Sequence, residues 1–308
     1  MFTLETRQKI YQIGNVKIGG QPGELPTVLI GNIFYKRMPE VSNHKEGSFN
    51  KKAVLTWIRL AETFSEKSGV PHLLDIMAMH SEAMSKYIAF ISEQTSSPFL
   101  IDGANPETRI AALDTVKQLG LEKHVIFNGI TPKTPQEELV AIQDSNVNMA
   151  ILMAYNEFDY SPKGRIAMLE DSTGQTGLFS MARKAKVEKM LIDTVVFDVP
   201  SISYAVEAIK LVKKELGYPA GCSPANAMYS WRRSLKGSVL TEGFAASNAS
   251  AHAIAQCWGA DFLIYGPIKQ AKNMISSCAI NDAIIAYHAM KHFGIKPLIK
   301  SHPLYKIF

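Results

Sequence analysis

The sequence is short of the features that announce a cofactor or a compartment. Its three cysteines, Cys222, Cys257 and Cys278, show no metal-ligand spacing. Their odd number in a chain of 308 residues fits reduced thiols and a cytoplasmic setting better than a disulfide frame. No apolar run reaches the roughly 18 residues that span a bilayer, so direct membrane insertion is not expected. Met1-Phe2-Thr3-Leu4-Glu5 does not open a signal peptide. There is no P-loop, no H-E-x-x-H and no G-x-S-x-G. Charge of one sign is scarce as well. The formal net charge is +5, and basic residues cluster only in pairs such as Lys51-Lys52, Lys213-Lys214 and Arg232-Arg233. Without a basic tail or aromatic-basic interleaving, nucleic acid is not an expected partner.

What the chain does have is apolar content, 46% against 20% charged residues, enough for a sizeable core. That content falls into eight short runs: Val28–Asn32, His72–Met77, Phe99–Asn105, Val125–Gly129, Met149–Met153 (running on to Asn156), Met190–Thr194, Pro219–Ser223 and Phe262–Gly266. Helical patterns separate most of them, including Ala53–Phe64, a helix capped by Ser81, and one begun by Asn105-Pro106-Glu107. Others are one opened by Thr134-Pro135 with an acidic first turn, and Ser201–Leu216. Parallel strands need such crossovers, and eight units match a (β/α)8 TIM barrel, here one domain over residues 1–308. A doubly wound open sheet is the alternative. It normally carries a Gly-rich first turn, and Gly31-Asn32-Ile33-Phe34-Tyr35 has no G-x-G-x-x-G, which also argues against a dinucleotide cofactor. Ahead of the first strand, Tyr11–Ile13 and Val16–Ile18 flank Gly14-Asn15 as an N-terminal β-hairpin, a plug or cap for the barrel's bottom.

The strand ends carry the chemistry. Phe99-Leu100-Ile101-Asp102-Gly103-Ala104-Asn105 passes abruptly from apolar to polar, and the pattern recurs at Asn128 and Asp193. A barrel of this kind displays Asp75, Asp102, Asn105, Asn128, Asn156, Asp193 and Asn226 at its top. These are carboxylates and amides. No His or Cys cluster favours a protein-bound metal, and arginine is sparse at the tips. Ionised carboxylates only accept hydrogen bonds, whereas amides donate and accept. Such a ring suits a flat, neutral heterocycle with adjacent N–H groups and a carbonyl, as in the 2-amino-4-oxopyrimidine of a pterin. Each residue alone also fits a helix cap, Asn105 best of all.

Other positions carry weaker signals. Cys222 and Ser223 stand at a strand end without a histidine partner for nucleophilic catalysis. His80 closes the second run, within reach of a ligand, while His72 and His124 precede strands and belong at the bottom. The polar stretch Glu157–Gln175 is long for a loop, and Asp171–Gly177 reads either as a lid or as an ordinary surface loop.

At this point the chain resembles a family. Val16-Lys17-Ile18-Gly19-Gly20-Gln21-Pro22-Gly23-Glu24, then Pro26–Gly31 and Phe34-Tyr35, look like the amino terminus of the H-subunit family of tetrahydromethanopterin S-methyltransferase. Phe262–Ile268 and His302-Pro303-Leu304 are similar to it too. Wider relatives are the pterin-binding corrinoid methyltransferases. The resemblance implies methyl transfer between N5 of a reduced pterin and the cobalt of a corrinoid (a methylcobalamin-type cofactor) carried by a partner protein that docks at the barrel top. By it, Asp102, Asn128 and Asp193 hold the pterin, Asp75 assists, and Asn226 stands near N5, with Asp102 and Asn226 as the catalytic pair; the strand-tip pattern adds Asn156 to the pterin-binding set. Pro224 departs from the expected pattern beside Asn226. The stretches Glu157–Gln175 and Ser223–Trp231 look closer to bacterial members of the glycine betaine demethylation type, which implies tetrahydrofolate rather than tetrahydromethanopterin. It also implies a homodimer, which the apolar final helix (Ile280, Ala283, Ile284, Ala286, Tyr287) leaves open. A dihydropteroate synthase-like reaction and a non-catalytic pterin-binding protein are the alternatives.

Overall fold

The computed structural model describes residues 2–235 and 237–308. Met1, on which the leader reading begins, lies outside them together with Lys236. Eight parallel strands close into a barrel. They are β1 Val28–Ile33, β2 His72–Ala78, β3 Phe99–Gly103, β4 Val125–Ile130, β5 Met149–Met153, β6 Lys189–Asp193, β7 Ala220–Cys222 and β8 Phe262–Pro267. Each pairs with its neighbour in sequence, and β8 closes on β1 through Phe262–Val28 to Pro267–Asn32. The expected barrel is therefore the observed one.

Period-2 alternation sorts seven of the strands into two packing sets, and β7 places Ala220 and Cys222 in the outer one. Val28, Ile30, Leu73, Leu100, Ile126, Ile151, Leu191 and Phe262 point into the barrel and form one buried cluster. Leu29, Leu74, Ile101, Phe127, Leu152 and Ile192 point outward and pack in the larger cluster under the helices. The N-terminal hairpin, Ile10–Ile13 against Val16–Gly19, places Ile13, Val16 and Ile18 in the interior cluster. It closes the floor of the barrel.

The α-helices of the described residues are α1 Lys51–Ser68, α2 Ser81–Gln94, α3 Pro106–Gln118, α4 Gln136–Ser145, α5 Pro162–Ala167, α6 Leu178–Lys184, α7 Ile202–Leu211, α8 Pro224–Ser234, α9 Phe244–Cys257, α10 Ala271–Phe293 and α11 Pro303–Lys306. None of the described helices is long and apolar enough to cross a membrane. Asn105 caps α3, its Oδ1 accepting from the Thr108 amide at 2.8 Å.

Several local expectations are corrected. His80, not Ser81, is the N-cap residue of α2, and no side chain caps that end. Pro135 occupies the N-cap of α4, because the Thr134 hydroxyl is committed to the Thr131 amide at 2.8 Å. The stretch Glu157–Gln175 is not continuous loop: Ser161 caps α5, accepting from the Gly164 amide at 3.1 Å. Two helices, α8 and α9, fill the segment between β7 and β8.

Candidate functional site

The same alternation builds the site. Two residues beyond each inward apolar side chain stands the next inward position. From Ile30, Leu73, Leu100, Ile126, Ile151, Leu191 and Phe262 this step reaches Asn32, Asp75, Asp102, Asn128, Met153, Asp193 and Ile264. All seven line one cavity of about 260 Å³ at the C-terminal ends of the strands. Met77, Arg109, Gly129, Thr131, Ser223 and Asn226 complete its wall. The strand ends of a parallel barrel are where functional side chains collect.

Asp75, Asp102, Asn128, Asp193 and Asn226 are thus brought together. Asn156 is not. β5 ends at Met153, and three residues later the Asn156 Oδ1 accepts from the amides of Phe158 at 2.9 Å and Asp159 at 3.3 Å. That turn occupies its side-chain acceptor, and Asn156 does not line the cavity that gathers the other candidates.

The site is an acidic one held in a poorly solvated place. Burial raises the Asp75 carboxyl well above the ordinary range and the charge of Asp102 adds to the effect, while Asn128 opposes it by donating to Asp75 Oδ1 at 3.4 Å. Burial also takes Asp102 up to about 7, against the pull of the Arg109 guanidinium. Burial and mutual repulsion thus hold the two carboxyls toward the protonated form. Asp193 is pushed up to about 6 by burial, opposed by the Val195 amide and by Arg165.

Arg109 explains the glycine in the Asp102-Gly103 motif. Its guanidinium donates to the Gly103 carbonyl at 2.9 Å and grips buried Glu138 with two bonds of 2.5 and 2.8 Å. A Cβ on Gly103 would stand 2.7 Å from Arg109 Cγ and 2.8 Å from its amide nitrogen. The motif therefore divides its labour: Asp102 faces the cavity, Gly103 admits Arg109, and Asn105 starts α3.

Arg165 on α5 performs the equivalent task for Asp193. It is fully buried. Nη1 donates to the carbonyls of Thr194 and Val195, Nε donates to that of Tyr160 at 3.0 Å, and Nη2 has no partner. Val195 itself sits at φ +52°, a strained conformation for a β-branched residue. Asp193 Oδ1, accepting its amide at 2.7 Å, and Arg165, on its carbonyl, hold it there.

Asn32 is a wall residue that the sequence pattern does not single out. Its Nδ2 donates to Met77 Sδ at 2.9 Å, and its buried Oδ1 has no partner. An unfilled acceptor on a cavity wall is a place for a ligand N–H. A signal is present all the same: Asn32 stands two residues past Ile30 as Asp102 stands two past Leu100.

The remaining candidates fall away from the cavity. His80 is exposed on the α2 cap. His72 is buried with Nε2 2.7 Å from Tyr265 Oη, and burial takes it down to about 4. Burial raises the Cys222 thiol well above its ordinary value, which suppresses the nucleophilic thiolate. The stretch Asp171–Gly177 is pinned at its base, with Asp171 accepting from the Gly177 amide and the Ser180 hydroxyl, each at 2.7 Å.

Known proteins share both the sequence and the frame. The chain is 33% identical to the H-subunit of tetrahydromethanopterin S-methyltransferase from Methanothermobacter thermautotrophicus, over 100% of both chains. It is 33% identical to the H-subunit of the putative methyltransferase mtx from Methanosarcina mazei, over 99% of both. Among solved structures it resembles dihydropteroate synthase of Xanthomonas albilineans, in complex with indole-2-carboxylic acid and 6-chloroguanine, with a TM-score of 0.62. That match covers 90% of this chain and 98% of the other at 17% identity, a likeness of fold. Residues 6–298 match the family described as tetrahydromethanopterin S-methyltransferase MtrH subunit. The chain belongs to the MtrH family.

Proposed function

We propose that this protein transfers a methyl group between a methyl-corrinoid carried by a partner protein and N5 of tetrahydrofolate, forming 5-methyltetrahydrofolate. The observation that carries the reading is the convergence of Asp75, Asp102, Asn128 and Asp193 in one cavity of an MtrH-family barrel. A reduced pterin offers N–H donors on its 2-amino group and ring nitrogens, with a carbonyl beside them. Ionised Asp193 and Asp102 accept from such donors, and the Asn128 amide meets the carbonyl side. Asn226, on the first turn of α8, faces the open mouth.

The demands on the chain are modest. Neutral N5 is already a nucleophile. As the N–CH3 bond forms, the Co–C bond breaks and its electron pair stays with cobalt; the proton on N5 then leaves. An asparagine is no base, so Asn226 orients the nitrogen while solvent at the mouth takes that proton. In the reverse direction N5 must first be protonated, and the Asp75–Asp102 pair, held toward the protonated form, is the acid that the cavity wall supplies. Rate comes from holding N5 in line with the incoming methyl and excluding competing water. No covalent intermediate with the protein is needed.

Tetrahydrofolate is preferred on the stretches Glu157–Gln175 and Ser223–Trp231. The relatives named for tetrahydromethanopterin favour that pterin as the second reading. The test is to mix purified protein with methylcobalamin and each pterin and to follow the methylcobalamin spectrum. Loss of the spectrum with tetrahydrofolate is expected. Turnover only with tetrahydromethanopterin overturns the choice of pterin, and tight pterin binding without turnover replaces the enzyme by a binding protein.

A further inference from the structure

A second cavity, of about 520 Å³, opens on the same end of the barrel. Tyr160, from the loop after β5, and Phe197, Pro200 and Tyr204, from the loop after β6 and the start of α7, line it. The rings of Tyr160, Phe197 and Tyr204 are 52%, 45% and 49% exposed, so three aromatic side chains stand half-open together. Clustered exposed apolar groups mark binding surfaces. Tyr160 and Phe197 meet edge to face, 5.1 Å between centroids. The platform is fixed in advance. Ser201 Oγ accepts from the amides of Phe197 at 3.1 Å and Asp198 at 2.9 Å, and Asp198 Oδ1 accepts from the Ser201 amide at 2.8 Å. A preordered aromatic surface loses little entropy when it binds.

The loop after β6 connects the two cavities, since Asp193 lines the first and Phe197 the second. Arg165 joins Tyr160 to Thr194 and Val195 and lies 5.5 Å from the centre of the Phe197 ring. Its charge also acts on Asp193. Phe197 follows Asp193 by four residues, which keeps their Cα atoms within about 14 Å. The polar cavity is too small for a whole substrate: its volume of about 260 Å³ falls below the roughly 300 Å³ at which pockets for drug-sized ligands begin. It suits the bicyclic head. A flat, apolar arylamine ring follows that head in both pterins under consideration.

We propose that the arylamine ring of the substrate's side chain lies on the Tyr160–Phe197–Tyr204 platform. The second cavity is then the other half of the substrate site. This rests on the pterin reading above. The test uses titration calorimetry with two probes, 6-methyltetrahydropterin for the head alone and tetrahydrofolate for head plus ring. It compares wild type with Phe197→Ala and the conservative Phe197→Tyr. Wild type is expected to bind tetrahydrofolate more tightly than the head. Phe197→Ala weakens tetrahydrofolate about tenfold, leaves the head unchanged, and is rescued by Phe197→Tyr. Equal weakening of both probes, or no weakening, overturns the proposal. Unchanged pterin affinity with lost methyl transfer from methylcobalamin assigns the platform to the corrinoid side and likewise overturns it. If wild type binds neither probe, the pterin reading itself fails and this one with it; if it binds the head but not tetrahydrofolate, this proposal and the choice of tetrahydrofolate fail while the pterin reading stands.

Discussion

Asp193→Asn is expected to make the protein more stable and less useful, in a way that depends on pH. The side chain is 5% exposed, and burial lifts its carboxyl from 3.8 to about 6. The sign follows from linkage. An acid whose pKa is raised on folding costs stability once both states are ionised; the cost is complete above the folded value and absent below the unfolded one. For these values the cost is about 3 kcal/mol at pH 8 and roughly half that at pH 5. Asparagine keeps the oxygen that accepts the Val195 amide at 2.7 Å and removes the charge. Urea unfolding of both proteins at pH 5 and pH 8 measures the difference. The variant should gain up to about 3 kcal/mol at pH 8 and about half as much at pH 5. On the proposed function, tetrahydrofolate affinity should fall by tenfold or more, because the amide presents a donor where a pterin bound there would need an acceptor. In wild type, affinity should itself fall as pH drops through about 6, and the variant should lose that inflection. A variant equally destabilised at both pH values would refute the reasoning, since that outcome belongs to lost packing.

Asn105→Ala removes the cap on α3 and should cost about 1 kcal/mol in urea unfolding while leaving pterin affinity unchanged; a lost affinity would return Asn105 to the site. Ile18→Ala empties part of the plug at a residue 1% exposed and should cost about 2–5 kcal/mol by the same measurement; a negligible cost would mean that the hairpin only rests on the barrel.

Much of this is legible because parallel strands, buried on both faces, read as apolar runs, and a carboxylate after Leu100-Ile101 or Leu191-Ile192 interrupts them sharply. Asn156 misleads because an apolar run does not show where its strand stops; an asparagine just past a strand end serves a turn as readily as a ligand. Asn32 ends its run just as Asn128 does, but apolar Ile33 and Phe34 follow it, so no polar tip draws the eye to it. Arg109 and Arg165 are out of reach for a different reason. Their partners Glu138 and Thr194 each lie 29 residues away, and only the closing of the barrel brings them together. The aromatic platform also needs two loops, one after β5 and one after β6, to meet.

The hairpin that seals the barrel floor with Ile13, Val16 and Ile18 has a kinetic consequence. With that end filled, the barrel opens at the strand ends. On the proposed reaction, that mouth would be the shared doorway for the small substrate and the large methyl carrier, and traffic is then ordered. The pterin enters first, the carrier seats over it, and the product waits behind the carrier until that complex dissociates. Turnover would follow the lifetime of the protein pair more closely than the chemistry beneath it.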